Sequence, residues 1–395
     1  PTGGVAGAGG YGAPYGYQQT PGGPTPPVPP GQRPGGGYPG GPGQPGGVPG
    51  GAPDGRQKKK GRAPLLVAGA LVVAAAAVAA SLVALRGGDD GDGGDTAEAS
   101  VFELPRSAQP LGDDTLVFAQ QRDGQYDLFL GRVPEDGLLT DVRPITDSPA
   151  DDYLPAISKD RRTIVYHQAG TPNALYAIAA DGSGEPVRLF TSGPAANLTI
   201  ADDARPSLSP DGKFLVVKST TDETGGPNTG LYVAALDGSS VRRLEAAPQA
   251  TDPAWSPSGE RIAYWSNETE SDRGFIVVIP IQPGAKPTPI TKGQGERDAD
   301  PVFSPDGKRI AFSREVDGDL EIFQMNNDGT GLERVTAEPG ADQDPAFSPD
   351  GSLLVYSGER GAPFRRIYLT DPENTTAPDR LLTETPGFHV RWSSG

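Results

Sequence analysis

The stretch Pro301-Val302-Phe303-Ser304-Pro305-Asp306-Gly307-Lys308-Arg309-Ile310-Ala311-Phe312 sets two short apolar runs on either side of a Ser-Pro-Asp-Gly turn. Proline presets φ and glycine accepts positive φ, so these turn residues reverse the chain without help from the rest of the molecule. The run from Arg309 to Ser313 has the two-residue alternation of a half-buried strand. Leu320 to Met325 then reads as a third strand, Asn327-Asp328-Gly329-Thr330 as a hairpin turn, and Leu332 to Thr336 as a fourth strand. Four consecutive antiparallel strands of this size form one propeller blade.

The same phrase recurs. Equivalent turns open at Ser158, Ser209, Ser256, Ser304, Ser348 and Ser393, at intervals of 51, 47, 48, 44 and 45 residues. That period fits a four-stranded blade and is too long for most helical repeats. At the start, Thr115–Phe118, Tyr126–Leu130 and Val142–Thr146 read as second, third and fourth strands with no first strand ahead of them, while Val390–Ser393 is a first strand with nothing after it. Joined, they complete a blade. The expected fold is therefore all-β, a six-bladed propeller spanning 111–395 whose C-terminal strand closes the first blade, a closure that leaves no free sheet edge between first and last blades.

The repeated run resembles that of the TolB-like, WD-like repeat family of bacterial β-propellers, whose hallmark is Pro-x-[Phe/Trp]-Ser-Pro-Asp-Gly-[Lys]-x-[Ile/Leu]-Ala-[Phe/Tyr]. Residues 301–312 match it throughout, 253–264 and 345–356 nearly so, and 206–217 more loosely. The resemblance implies a six-bladed fold and a soluble periplasmic protein that engages peptide segments at the propeller mouth, as partner of a peptidoglycan-associated lipoprotein and of inner-membrane components. Two features depart from that pattern: no α/β domain stands directly ahead of the repeats, and a long apolar run does.

Outside the repeats, composition divides the chain into three pieces. Of the first 55 residues, 35 are glycine or proline, which predicts a disordered, partly polyproline-like tail over 1–62, ending in the basic run Arg56-Gln57-Lys58-Lys59-Lys60-Gly61-Arg62. Residues 63–85 carry no charge. As a helix they would extend about 34 Å, enough for the hydrocarbon core of a bilayer. A cleaved secretory signal, with Ala77-Val78-Ala79-Ala80-Ser81 as its small-residue site, and a soluble alanine-rich helix are the competing readings; the length and the basic flank favour a single-pass transmembrane helix. The positive-inside rule then places the N-terminus in the cytoplasm and the propeller outside the cell membrane. Residues 86–110 read as an acidic linker.

Charge sharpens the function classes. Residues 1–62 hold six basic and one acidic side chain, whereas residues 87–395 hold 27 basic and 50 acidic, a balance of −23. Such a domain is a poor candidate for binding nucleic acid, which needs a basic face. There is no cysteine, so an exported domain relies on its core alone. No Gly-x-Ser-x-Gly elbow, P-loop, dinucleotide fingerprint or zinc pattern is present, and the two histidines, His167 and His389, occupy unrelated blade positions. The sequence reads as non-enzymatic, without cofactor or metal.

One constellation stands out. Six residues before each repeat serine stand Asp152, Asp203, Ala250, Asp298, Asp342 and Gly387; four residues before it stand Leu154, Arg205, Asp252, Asp300, Asp344 and His389. Loops entering the innermost strands converge on one mouth of a propeller. Asp152, Asp203, Asp252, Asp298, Asp300, Asp342, Asp344 and His389 are accordingly the candidate partner-binding residues, with Asp300, Asp344 and His389 foremost, as an acidic rim for a basic ligand. The competing reading is that each aspartate caps its own loop by accepting backbone N–H bonds. The functional expectation is a cell-envelope protein that binds a protein, peptide or cell-wall component at this mouth. Alternatives are a transmembrane sensor relaying ligand binding to the tail and a carbohydrate-active or peptidase-accessory propeller.

Overall fold

A computed structural model describes residues 102–395, apart from 203–204, 267–273, 292–296 and 393–395. The expected tail, the expected transmembrane helix, most of the expected linker, and Asp203 lie outside the described residues. Among the described residues no helix is long and apolar enough to cross a membrane.

The repeats fold into six four-stranded antiparallel sheets, and five of them follow chain order from the innermost strand outward. Blade two comprises Asp152–Ile157, Thr163–Gln168, Ala174–Ala179 and Val187–Arg188; blade three, Ser207–Leu208, Phe214–Thr221, Pro227–Ala235 and Val241–Arg243. Blade four comprises Thr251–Trp255, Arg261–Ser266, Phe275–Pro280 and Thr288–Pro289; blade five, Asp298–Phe303, Arg309–Val316, Asp319–Asn326 and Glu333–Arg334. Blade six runs through Asp342–Phe347, Leu354–Gly358, Arg366–Thr370 and Arg380–Leu381. Blade one is built from both ends of the domain: Phe388–Arg391 lies innermost, followed by Thr115–Arg122, Gln125–Arg132 and Thr140–Pro144.

The turn chemistry expected from sequence is present atom by atom. In blade five the Ser304 hydroxyl donates to Asp306 Oδ1 (2.6 Å) and accepts from the Arg309 N–H (2.9 Å), which locks the first hairpin. Ser158, Ser209 and Ser348 do the same with Asp160, Asp211 and Asp350. The hydroxyl bonds hold Asp306 ionised well below its ordinary range, at about 2. The apolar faces meet between blades in six clusters, one at each junction. Trp255 sits in the cluster between blades three and four and Trp392 in that between six and one, both buried as the repeat slot predicts.

The seam is reinforced. Phe388–Arg391 pairs antiparallel with Thr115–Arg122, and the Trp392 indole donates to the Asp113 carbonyl (2.6 Å). The turn glycine of blades three to six, Gly212, Gly259, Gly307 and Gly351, has φ of 68 to 77°; blade two puts Arg161 there, with φ 57°. An arginine in this left-handed region is strained, and its guanidinium supplies the compensation. It donates to the carbonyls of Leu111 (3.1 Å), Gly112 (2.6 Å), Thr115 (3.3 Å) and Trp392. One side chain thereby ties blade two to both chain segments that make blade one. Packing begins ahead of Leu111: Ser107 N–H donates to the Arg162 carbonyl (2.9 Å) and Leu104 rests on the cluster between blades two and three.

Candidate functional site: a charged axis inside the ring

In five of the six blades the residue four places before the repeat serine sits at a bulge in the innermost strand; in blade three that residue, Arg205, lies just ahead of the strand Ser207–Leu208. Leu154, Asp252, Asp300, Asp344 and His389 all adopt left-handed φ, between 50 and 57°. The strand register shifts around the first four of them, between Tyr153 and Ala156, Thr251 and Ala254, Ala299 and Val302, and Gln343 and Ala346. A bulge re-aims one side chain while the strand continues. Aspartate and histidine tolerate this conformation better than most residues, which accounts for part of their use here.

The bulges aim these side chains at the ring axis. The Arg205 guanidinium, from blade three, donates to Asp300 Oδ1 of blade five (3.2 Å) and to Asp344 Oδ1 of blade six. Blades three and six are opposite each other, so side chains from both meet only at the axis. His389 Nε2, from blade one, lies 4.0 Å from Asp344 Oδ2, and the Ser313 hydroxyl donates to Asp300 Oδ2 (3.1 Å). Arg391 completes the group: burial and the nearby Arg205 lower its pKa to about 9, against the attraction of Asp344, Asp300 and Asp252. Burial, then Arg205, Arg391 and Arg365, push His389 well below its ordinary value, so its imidazole is neutral at pH 7. Two arginines thus face three carboxylates around a neutral histidine. His389 Nδ1 and Arg391 Nη2 are buried and accept or donate no hydrogen bond among the described residues.

The site differs from an open acidic rim. Asp252, Asp344 and His389 are each 4% exposed, and the Asp300 side chain is 14% exposed. The residues six places before the serines form a separate tier. Asp298 is gripped by Arg314 of its own blade (2.6 and 2.9 Å), and Asp342 by Arg360 (2.8 Å). Burial raises Asp342 to about 7, with Arg360 pulling the other way. Asp152 receives Gln168 Nε2 (2.9 Å) on Oδ1, while its Oδ2 has no hydrogen-bond partner among the described residues; burial raises it to about 6 against the pull of Gln168, Thr146 and Ser148. These three aspartates are fully buried within blades, not gathered at the axis. The donors described to Asp152 and Asp342 are side chains, Gln168 and Arg360, in contrast to the backbone N–H groups that the turn aspartates cap.

Sequence reasoning left both arginines out of the site. Arg205 already stood in the four-before series, where its charge opposes its neighbours in the repeat. Arg391 occupies a slot filled elsewhere by Ala156, Ser207, Ala254, Val302 and Ala346. A lone arginine in a small-residue slot was the available signal.

Fold and axis together define a six-bladed propeller built from WD-like repeats. A family model described as the TolB beta propeller domain matches residues 227–385, and the domain is a TolB-like propeller. An uncharacterized protein of Agrobacterium fabrum is 26% identical over 196 residues, 49% of this chain and 61% of the relative. A protein TolB homolog of Chlorobium luteolum is 31% identical over 160 residues, 40% of this chain and 33% of the homolog. The match thus spans less than two thirds of the length of these relatives. The crystal structure of TolB from Acinetobacter baumannii superposes with a TM-score of 0.57 at 19% identity, covering 71% of this chain and 67% of that one, which supports the fold.

Proposed function

We propose that this chain is a non-enzymatic protein of the bacterial cell envelope, held by a single-pass helix over 63–85 with its N-terminus cytoplasmic and its propeller outside, that binds a protein, peptide or cell-wall partner at the charged axis. The observation that carries this reading is the composition of the axis. Burying arginines and carboxylates costs several kcal/mol per ion before pairing recovers it, and an apolar filling serves a fold equally well. Leu154 fills the same slot in blade two, so the scaffold accepts one. Charge retained at such a cost is a mark of recognition. A domain balance of −23 favours a basic partner segment, drawn toward Asp300, the most exposed carboxylate of the group. The TolB relatives support the envelope assignment.

The test is co-purification of partners on the tagged full chain from detergent-solubilised envelopes, beside Asp300→Asn/Asp344→Asn. Loss of a partner from a variant whose thermal unfolding remains cooperative supports the reading. Undiminished capture by the folded variant removes the axis from the site.

A further inference from the structure

Blades two, five and six share an internal arrangement that only two of them complete. In blade five the cross-strand rings Phe312 and Phe323 lie side by side, and the Arg314 guanidinium carbon rests 5.3 Å from the centre of each while binding Asp298. In blade six the Arg360 guanidinium rests 5.3 Å from Tyr356 and 4.9 Å from Tyr368 while binding Asp342. Blade two has the same paired rings, Tyr166 and Tyr176 with centres 5.9 Å apart, and the same buried aspartate, Asp152. It lacks the arginine. The register that sets Asp298 opposite Arg314 sets Asp152 opposite Gln168.

Gln168 is too short to reproduce the missing group. It bonds Oδ1 of Asp152 and the Ser148 hydroxyl (3.2 Å), leaving the fully buried Oδ2 without a hydrogen-bond partner among the described residues. In front of these residues lies a cleft of about 490 Å³, lined by Asp152, Tyr166, Tyr176 and Gln168 together with Asp147, Glu185 and Arg122. Its one cation, Arg122, is engaged with Asp127 (3.0 Å) and Asp147 (2.6 Å) and makes no bond to Asp152. The cleft therefore carries an excess of negative charge, the half-buried Tyr176 ring beside the buried Tyr166, and a carboxylate oxygen that no donor among the described residues reaches.

We infer that this cleft is a guanidinium-binding site, in which a ligand's planar cation lies across Tyr166 and Tyr176 and donates to Asp152 Oδ2, completing in trans what Arg314 and Arg360 complete within their own blades. Guanidinium suits the place because it stacks on rings and donates along one edge at the same time, which an ammonium does less well. The group comes either from a free guanidino compound or from an arginine of a polypeptide. The site is separate from the axis, and neither assignment depends on the other.

Calorimetric titration of the full chain in detergent tests it, with L-argininamide, L-citrullinamide as the neutral isostere, and the tripeptide Gly-Arg-Gly. Saturable binding of argininamide, at least tenfold weaker for citrullinamide and for Asp152→Asn, is expected. Gln168→Arg supplies the missing side chain internally and is expected to abolish binding while raising the unfolding temperature. Tighter binding of the tripeptide than of argininamide assigns the ligand to a polypeptide, and the reverse order to a free compound. No saturable binding by the wild-type chain, or equal binding of citrullinamide, overturns the inference. Binding unaltered in both Asp152→Asn and Gln168→Arg overturns it as well.

Discussion

An Asp152→Asn replacement is expected to stabilise the propeller at neutral and alkaline pH and to lose that advantage in acid. Asp152 is fully buried and its carboxyl is raised from 3.8 to about 6, chiefly by desolvation. A raised acid pKa means that the folded state holds the proton more tightly than the unfolded chain, so ionisation costs stability above pH 6 and that cost fades as pH falls toward 4. A shift of roughly two units corresponds to about 3 kcal/mol. The asparagine keeps the bond from Gln168 but adds an N–H₂ that must find the Ser148 or Thr146 hydroxyl, which takes back roughly 1 kcal/mol. The net gain is about 2 kcal/mol at pH 8, or roughly 3 °C in Tm for a domain of this size. The assay is thermal unfolding of wild type and variant from pH 4 to 8, with Asp298→Asn as the opposite case: there the loss of a partner for Arg314 is expected to cost about 3–5 kcal/mol. A variant less stable than wild type at pH 8, or a gain that persists undiminished at pH 4, would refute the claim that Asp152 is a carboxylate buried without adequate compensation.

Two further outcomes follow from the ring's other charged residues. Arg161→Gly restores the turn glycine of blades three to six and relieves about 1 kcal/mol of backbone strain, yet it removes the carbonyl bonds across the seam; a net loss of about 2 kcal/mol in urea unfolding is expected, and a gain would show the clamp to be idle. Arg205→Met leaves Asp300 and Asp344 without the cation that joins them and is expected to lose about 3–5 kcal/mol by the same measurement, a loss below about 1 kcal/mol being incompatible with the axis as described.

The propeller was legible because its information is local and repeated. Each Ser-Pro-Asp-Gly turn fixes its own hairpin through bonds spanning two to five residues, so spacing alone reveals the blade, and the unpaired strands at either end reveal the clasp. The site was legible only by position. Repeat alignment found the slot that faces the axis, but whether a carboxylate there meets solvent or an arginine depends on what five other blades contribute. Asp344 and Arg205 are 139 residues apart and touch only because blades three and six are opposite. The tier of Asp152, Asp298 and Asp342 was not separable by sequence for the same reason: identical in sequence register, the three differ in whether an arginine on or just beyond the neighbouring strand reaches them. Where the chain also carries an apolar run over 63–85, its reading as an anchor rests on length and flanking charge.

The seam has a consequence for biosynthesis. Thr115–Arg122 acquires its inner neighbour only from Phe388–Arg391, roughly 275 residues later in the chain. At typical elongation rates that interval is on the order of 15–50 s, during which blade one presents a bare strand edge and the apolar cluster under Trp392 has no lid. Blades two to six can form in order as they emerge, each hairpin by itself, whereas the ring remains an open arc until its final strand arrives. The nascent domain is thus most prone to mispairing late in its own synthesis, and factors that shelter it are needed until its closing strand has emerged.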